Sequence, residues 1–353
     1  MEKTMHAVVT HGIHDYRLEQ VPVPQPGPGE LLVQVEACGI CAGDLKAFMG
    51  GERFWGGSEF TPYVEPPCIP GHEFIGRVAQ VGAGYDGPFQ VDDRVTSEQI
   101  VPCGTCAYCK RGLYWMCEPH NVYGFKHYLN GGFAEYMIFP KQARVFAVPE
   151  QMALKDALLI EPFACAMHGV DRARIEKGDV VVISGAGTLG LGMIPYARRF
   201  APAKIIALDL KEERLTLARR QGADLALNPA QDDVSAQVMA LSQGCGCDVY
   251  IEVAGHPQSV LQGLQLIRKK GRFVEFSVFG EKTTCDWSLI GDAKELDLYG
   301  SSLSPECFPK TIAGIADGSL PTAGVVTHIL QLEDFEEAFR IAAQGGIKVA
   351  LRP

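Results

Sequence analysis

Cys103, Cys106, Cys109 and Cys117 lie at the spacing C-x2-C-x2-C-x7-C within residues 103–117. Four soft thiolates on one short loop supply a complete tetrahedral donor set for zinc. With every position filled by protein, such a site is closed and structural, so the chemistry belongs elsewhere in the chain. A disulfide framework is the competing reading. The remaining cysteines of the 12 carry no paired pattern, and the N-terminus, which runs straight into Ala7-Val8-Val9, has no apolar leader core. Spacing and setting therefore favour metal.

Two further segments carry ligand chemistry. Cys38-Gly39-Ile40-Cys41-Ala42-Gly43-Asp44 offers thiols and a carboxylate, and Gly71-His72-Glu73 offers an imidazole beside a carboxylate. Either suits a transition metal, although a single Cys or His is more often a core or surface residue. A third segment binds phosphate. Val180-Val181-Val182-Ile183-Ser184 leads into Gly185-Ala186-Gly187-Thr188-Leu189-Gly190 and then a helix-compatible stretch. The first Gly makes the turn, the second admits a pyrophosphate, and the third lets helix pack on strand. The phosphates then meet the helix N-terminus, where N–H groups and the helix dipole favour negative charge. Asp209 follows Gly190 by 19 residues. A carboxylate there accepts from both ribose hydroxyls and repels a 2′-phosphate, which favours NAD over NADP. Lys211 and Arg214 follow closely and soften that discrimination, unless both are solvated helix charges.

The elements that must position these residues change character along the chain. The first part is β-rich, with residues 31–37 an apolar strand among Gly, Pro and Asn punctuation. From about Asp179 strands and helices alternate. Strands are expected at 180–184, 204–209, 248–253 and 272–278, and helices at 211–221 and 257–270. This is the pattern of a doubly wound α/β domain. After about Ser301 the rhythm breaks, and the chain ends in Lys348-Val349-Ala350-Leu351, a tail expected to pack back on the first domain. Net charge is −10 with no basic run, which gives no electrostatic footprint for nucleic acid or an anionic membrane. Residues 180–197 are uncharged and approach membrane-spanning length, but a strand, a glycine turn and a helix account for them. Twelve mostly unpaired cysteines fit a reducing cytoplasm.

In this order, Cys41 with Asp44, Gly71-His72-Glu73-x2-Gly76, the four-cysteine lobe, Glu161-Pro162 and residues 185–190 resemble the zinc-dependent medium-chain dehydrogenase/reductase family over essentially the whole chain. Glu161 falls where the alcohol dehydrogenases of animal liver and yeast carry a zinc-binding Cys, which makes the pattern similar to the polyol, sorbitol-type branch. Residues 95–137, including Ser97-Glu98-Gln99 and Tyr123-Gly124-Phe125-Lys126, look like the bacterial erythritol/L-threitol dehydrogenases, as do Val278-Phe279-Gly280 and Asp286-Trp287-Ser288. The resemblance implies an α/β protein. A GroES-like β-rich catalytic domain at 1–160 bears the zinc lobe, a Rossmann cofactor domain spans 161–300, and 301–353 returns to complete the first. It also implies a catalytic zinc held by Cys41, His72 and either Glu73 or Glu161, with one position open. A second zinc at the four cysteines and NAD complete the cofactor set. Asp44 is implied to accept from the ring N–H of His72 and fix its tautomer; the alternative is a local turn cap.

One position departs from the family pattern. Gly43 stands two residues after Cys41, where relatives carry a Ser or Thr whose hydroxyl begins the proton relay, and Lys46 stands where a relay His is frequent. The proton is then expected to leave through Glu73 or Glu161, with Lys46 or the cofactor ribose as exit. Lys46 has a competing reading as a solvated charge near the cofactor phosphates. The family places a non-ligand at the position of Cys38, so Cys38 is read as packing. Cys68, Cys165, Cys245, Cys247, Cys285 and Cys307 are read as core or surface thiols, and His168 as packing.

The implied function is oxidation of a secondary hydroxyl of a small polyol, a tetritol such as erythritol or threitol giving erythrulose, with hydride transfer to NAD. One alternative is a zinc enzyme of the same fold acting on sorbitol, xylitol or a simple alcohol. A second is a non-catalytic scaffold that binds NAD and zinc. Phe54, Trp55, Phe125 and Trp287 are candidate pocket walls. Members of the family form dimers and tetramers, so a cytoplasmic homo-oligomer is expected, joined through a strand near residues 295–300.

Overall fold

The computed structural model describes residues 3–57, 59 and 61–353, so Met1 and Glu2 of the expected first domain lie outside it. The chain divides into two units. One holds the residues up to Glu161 with Phe308–Ala316 and Val326–Pro353; the other holds Pro162–Cys307 with Asp317–Val325.

In the first unit the largely apolar run Leu31–Gly39 becomes the central strand, buried except at Gln34 and Glu36. Glu73–Val81 pairs antiparallel along one edge, while Tyr136–Phe139 and Lys348–Arg352 pair with opposite ends of the strand. With Arg94–Ser97, Val145–Ala147 and Val326–Gln331 these make a seven-stranded sheet among the described residues. Val33, Val35, Phe74, Tyr123 and Phe133 fill its core. The turn that presents His72 is fastened by backbone hydrogen bonds. Gly132 N donates to Gly71 O (2.9 Å) and Phe133 N to Pro70 O (3.0 Å).

The second unit is a six-stranded parallel sheet among the described residues, in the order Leu225–Leu227, Lys204–Leu208, Val180–Ser184, Cys247–Glu252, Ile267–Glu275, Asp297–Gly300. Val180–Ser184 is buried throughout, as a strand covered on both faces must be. The helix Glu212–Arg220 buries Leu215, Leu217 and Ala218.

Two expected boundaries move. The helix expected at 257–270 stops at Leu266, and the strand expected at 272–278 runs from Ile267 to Glu275. Arg268, Lys269 and Lys270 are helix-compatible by composition, but a long-range contact ends the helix. Lys294 Nζ donates to Leu264 O (2.6 Å), Gln265 O (3.0 Å) and Ile267 O (2.6 Å), taking carbonyls a further turn would have used. The tail expected to return whole is also divided. Residues 308–316 and 326–353 join the first unit, whereas 301–307 and 317–325 stay with the second. Ser301 N continues the ladder to Glu275 O (2.9 Å), and Gln221 Nε2 donates to Pro321 O (2.9 Å). Among the described residues no helix is long and apolar enough to cross a membrane.

Candidate active site

Helix α1 (Ala42–Phe48) begins at Cys41, and its cap builds half of the site. Cys41 Sγ accepts from Gly43 N (3.4 Å), and Asp44 Oδ2 accepts from Cys41 N (2.8 Å). The reciprocal bonds fix the thiol and fold the Asp44 carboxylate back into the protein, where it is 1% exposed. Asp44 Oδ1 then faces His72 Nδ1 at 3.5 Å, and neither atom has a hydrogen-bond partner among the described residues. The Asp44 cap and its approach to His72 are therefore two ends of one arrangement.

Charge around His72 is strongly negative. Burial alone would lower its pKa, but Asp44, Cys41 and Glu161 outweigh burial and hold it well above the usual imidazole value. Asp44 is in turn pushed up by burial, with His72 opposing. A buried pocket that demands positive charge at an imidazole fits a bound cation. The ligand atoms of Cys41, His72 and Glu73 lie within 4.8 Å of one another. This mixed sulfur, nitrogen and oxygen set suits zinc.

Glu73 is already engaged. Lys348 Nζ donates to its Oε1 (2.7 Å), to its Oε2, and to Ile40 O (3.1 Å). Both side chains are almost fully buried. Burial would lower the pKa of Lys348, but the charges of Glu73, Cys41 and Glu161 raise it. Gly39 lies between them in the sheet, paired with Glu73 on one side and Ala350 on the other. A Cβ at Gly39 would collide with Glu73 Oε2 and press on Lys348 Cδ (3.2 Å), so only glycine lets the pair cross the strand. Glu161 is buried near the start of the helix Ile160–Ala173, and its charge is felt at both His72 and Lys348.

Aromatic rings bound this site. Phe125 stacks on Phe54 (centroids 5.7 Å apart) and lies 5.6 Å from the His72 ring. Trp55 instead braces helix α2 (Glu52–Trp55) against α1, donating from Nε1 to Ala47 O (2.6 Å). Trp287, in the other unit, is 73% exposed. Lys46 is half-buried on α1.

The four lobe cysteines also converge, their sulfurs within 4.8 Å of one another and none in a disulfide. Backbone N–H groups point at them: Thr105 N (3.4 Å) and Cys106 N (3.3 Å) donate to Cys103 Sγ, and Cys109 N and Glu118 N (both 3.5 Å) to Cys106 Sγ. Hydrogen bonds from Thr105, then from Cys106, bring Cys103 down to about 6. Burial holds Cys117 up at about 12. Amides aimed at sulfurs stabilise thiolate, the form zinc binds, so the lobe fits the metal its spacing implies. Buried Glu98 anchors the lobe, accepting from Tyr114 Oη (3.0 Å) and pairing with Arg144 Nε (3.2 Å).

In the second unit Gly185 takes a φ of +110°, and a Cβ there would strike the backbone of Val253 and Ala254. Gly187 opens the helix Thr188–Arg198, and an atom added to it meets nothing within 4 Å among the described residues, which leaves room for a pyrophosphate. Leu189 and Gly190 continue that first turn. Asp209 Oδ2 accepts from Ala186 N and Oδ1 from Lys211 N (both 2.9 Å), with Arg214 3.5 Å away. Each oxygen keeps a second lone pair for a ribose hydroxyl.

Residues 27–150 match the alcohol dehydrogenase GroES-like domain, and residues 188–317 match the zinc-binding dehydrogenase domain. Over 99% of the chain it is 47% identical to an erythritol/L-threitol dehydrogenase of Mycolicibacterium smegmatis, covering 98% of that protein. The chain belongs to the zinc-binding dehydrogenase family. It is also 32% identical to a sorbitol dehydrogenase of Bacillus subtilis, with 97% of this chain and 94% of that one covered. Among solved structures, the 2R,3R-butanediol dehydrogenase of Bacillus subtilis superposes with a TM-score of 0.85 at 27% identity, covering 99% of each chain.

For this zinc-binding dehydrogenase, the resemblance implied Cys41, His72 and either Glu73 or Glu161; the fold brings Cys41, His72 and Glu73 into one donor cluster, and the sequence reading missed Lys348 and Gly39. Lys348 carried a signal: a cation that opens the strand Lys348–Arg352 and runs straight into the apolar Val349-Ala350-Leu351 requires a carboxylate partner if it is buried.

Cys106→Ser is expected to lower stability by about 2 kcal/mol or more by denaturant melt, and to release one equivalent of zinc, with a smaller effect on the chemical step. Gly39→Ala is expected to displace the Glu73–Lys348 pair and cost about 3 kcal/mol, since a buried pair is broken. Unchanged denaturant midpoint and zinc content would contradict that assignment.

Proposed function

We propose that the protein oxidises a secondary hydroxyl of a small polyol, a tetritol such as erythritol or threitol, to the ketone, here erythrulose, with hydride passing to NAD. The observation that carries this is the donor set of Cys41, His72 and Glu73, with the charge of buried Glu161 felt at His72. The erythritol/L-threitol dehydrogenase relative supports the four-carbon substrate.

Cys41, His72 and Glu161 are the proposed protein ligands of the catalytic zinc. Lys348 binds both oxygens of Glu73 and neutralises it, which supports Glu161 as the ligating carboxylate. One thiolate and one carboxylate then balance a dication. Bound zinc supplies Lewis acidity that lowers the pKa of a ligated hydroxyl, and the nicotinamide supplies a hydride acceptor. Asp44 orients His72, and the Phe125 and Phe54 rings shield the site from water. The turn at Gly185, Gly187, Thr188, Leu189 and Gly190 receives the pyrophosphate. Asp209 accepts from the ribose, which supports NAD as the dinucleotide, and Arg214 flanks Asp209. Lys46 is the proposed exit for the proton. The exposed edge strand Asp297–Gly300 supports a homo-oligomer, dimer or tetramer, and the many cysteines support a cytoplasmic setting.

NAD reduction across C3 to C6 polyols of defined configuration should peak at a tetritol and disappear after treatment with a zinc chelator. A preference for simple alcohols would reject the polyol assignment. In the same assay Lys46→Met should slow turnover and move the pH profile; an unaltered profile removes Lys46 from the route. Glu161→Gln should lose catalytic zinc on dialysis to a greater extent than Glu73→Gln, and the opposite order would exchange their roles.

A further inference from the structure

Nothing in the backbone requires glycine at position 43. It lies in the first turn of α1 and is not among the residues with positive φ. In a helix, glycine destabilises relative to alanine. Among the described residues a Cβ at Gly43 would meet two atoms within 4 Å, Cys41 Sγ at 3.7 Å and Phe54 Cζ at 3.8 Å, both ordinary contact distances. Alanine would therefore fit the protein and strengthen the helix. What the missing side chain provides is a gap beside the sulfur of a proposed metal ligand.

The walls of that gap are held in place. Phe54 O accepts from Tyr63 N (2.8 Å) and Val64 N (2.9 Å), and the ring is stacked on Phe125. Cys41 is fixed by its cap bonds to Gly43 and Asp44. The gap is thus preformed, with a polarisable sulfur on one side and an aromatic ring on the other. That lining suits a carbon with its C–H bonds and not a charged group.

We propose that Gly43 is a specificity-determining residue whose absent side chain seats the carbon next to the one being oxidised, selecting alcohols substituted on both sides of the reacting carbon. This rests on the polyol assignment above, and it names the feature that admits an internal hydroxyl of a polyol. If Cys41 holds the metal that a substrate hydroxyl also binds, the carbons flanking that hydroxyl would lie near Cys41 Sγ, on the side of the gap.

The test is steady-state kinetics of Gly43→Ala and Gly43→Val with a tetritol, alongside zinc content, melting temperature and calorimetric binding of the tetritol to the NADH-loaded enzyme. KM and the dissociation constant should rise together, by about tenfold or more in Gly43→Val and less in Gly43→Ala, with kcat changed far less. Zinc content should hold, and Gly43→Ala should melt no lower than wild type. A KM and dissociation constant within about twofold of wild type in both variants would overturn the proposal. So would a fall in kcat, zinc content and melting temperature together, since that marks a structural role. Wild-type enzyme that oxidises no vicinal diol would sink the polyol assignment itself. Wild-type enzyme that does so, with variants unaffected, would sink only the role of Gly43.

Discussion

A single buried ion pair ties the candidate metal centre to the sheet. Glu73 opens one strand, Lys348 opens another, and both lie against Gly39 on the central strand between them. Taking two charges out of water is costly, and their attraction repays it only with short, multiple hydrogen bonds. Here Lys348 makes three, two to the carboxylate and one to Ile40 O. The position of Ile40 sets that of Cys41, the next residue, so the ion pair and the thiol are adjusted together.

Electrostatics then divides labour between the two sulfur-bearing regions. Around Cys41 and His72 the negative groups outnumber Lys348, and the imbalance is buried, which leaves a strong demand for a cation. The lobe uses backbone amides instead, directed at sulfurs close to the surface. In the first region side chains carry the field, and in the second the loop conformation does. A side-chain field can be reshaped by one substitution, whereas an amide field survives as long as the loop does.

Much of this was legible in the sequence wherever the information is local. Four donors within residues 103–117, or a glycine turn between a strand and a helix, report themselves by spacing alone. The cap made by Asp44, three residues from Cys41, entered the sequence reading only as the alternative to its role toward His72, and the structure shows the cap. What sequence spacing hid was long-range. Lys348 and Glu73 are 275 residues apart, and Lys294 reaches back about thirty residues to end a helix that composition would have prolonged. Gly39 was masked in another way: it looked like the filler of a C-x-x-C, and only the sheet register reveals that its lack of a side chain holds a charge pair.

The divided layout of the first unit has a consequence for folding order. The second unit draws nearly all its residues from one continuous stretch, Pro162–Cys307, so its sheet needs little of the chain outside that stretch. The first must wait for a strand that follows this stretch before Lys348 can reach Glu73, and until then a carboxylate sits beside Cys41 without its counter-charge. Contacts of such high sequence separation form late, because the loop entropy is lost before they reward it. The nascent first unit is therefore a sheet with an open edge next to its central strand, and metal that arrives early meets an unbalanced site. The metal centre is complete only once the strand Lys348–Arg352 is in place beside Gly39.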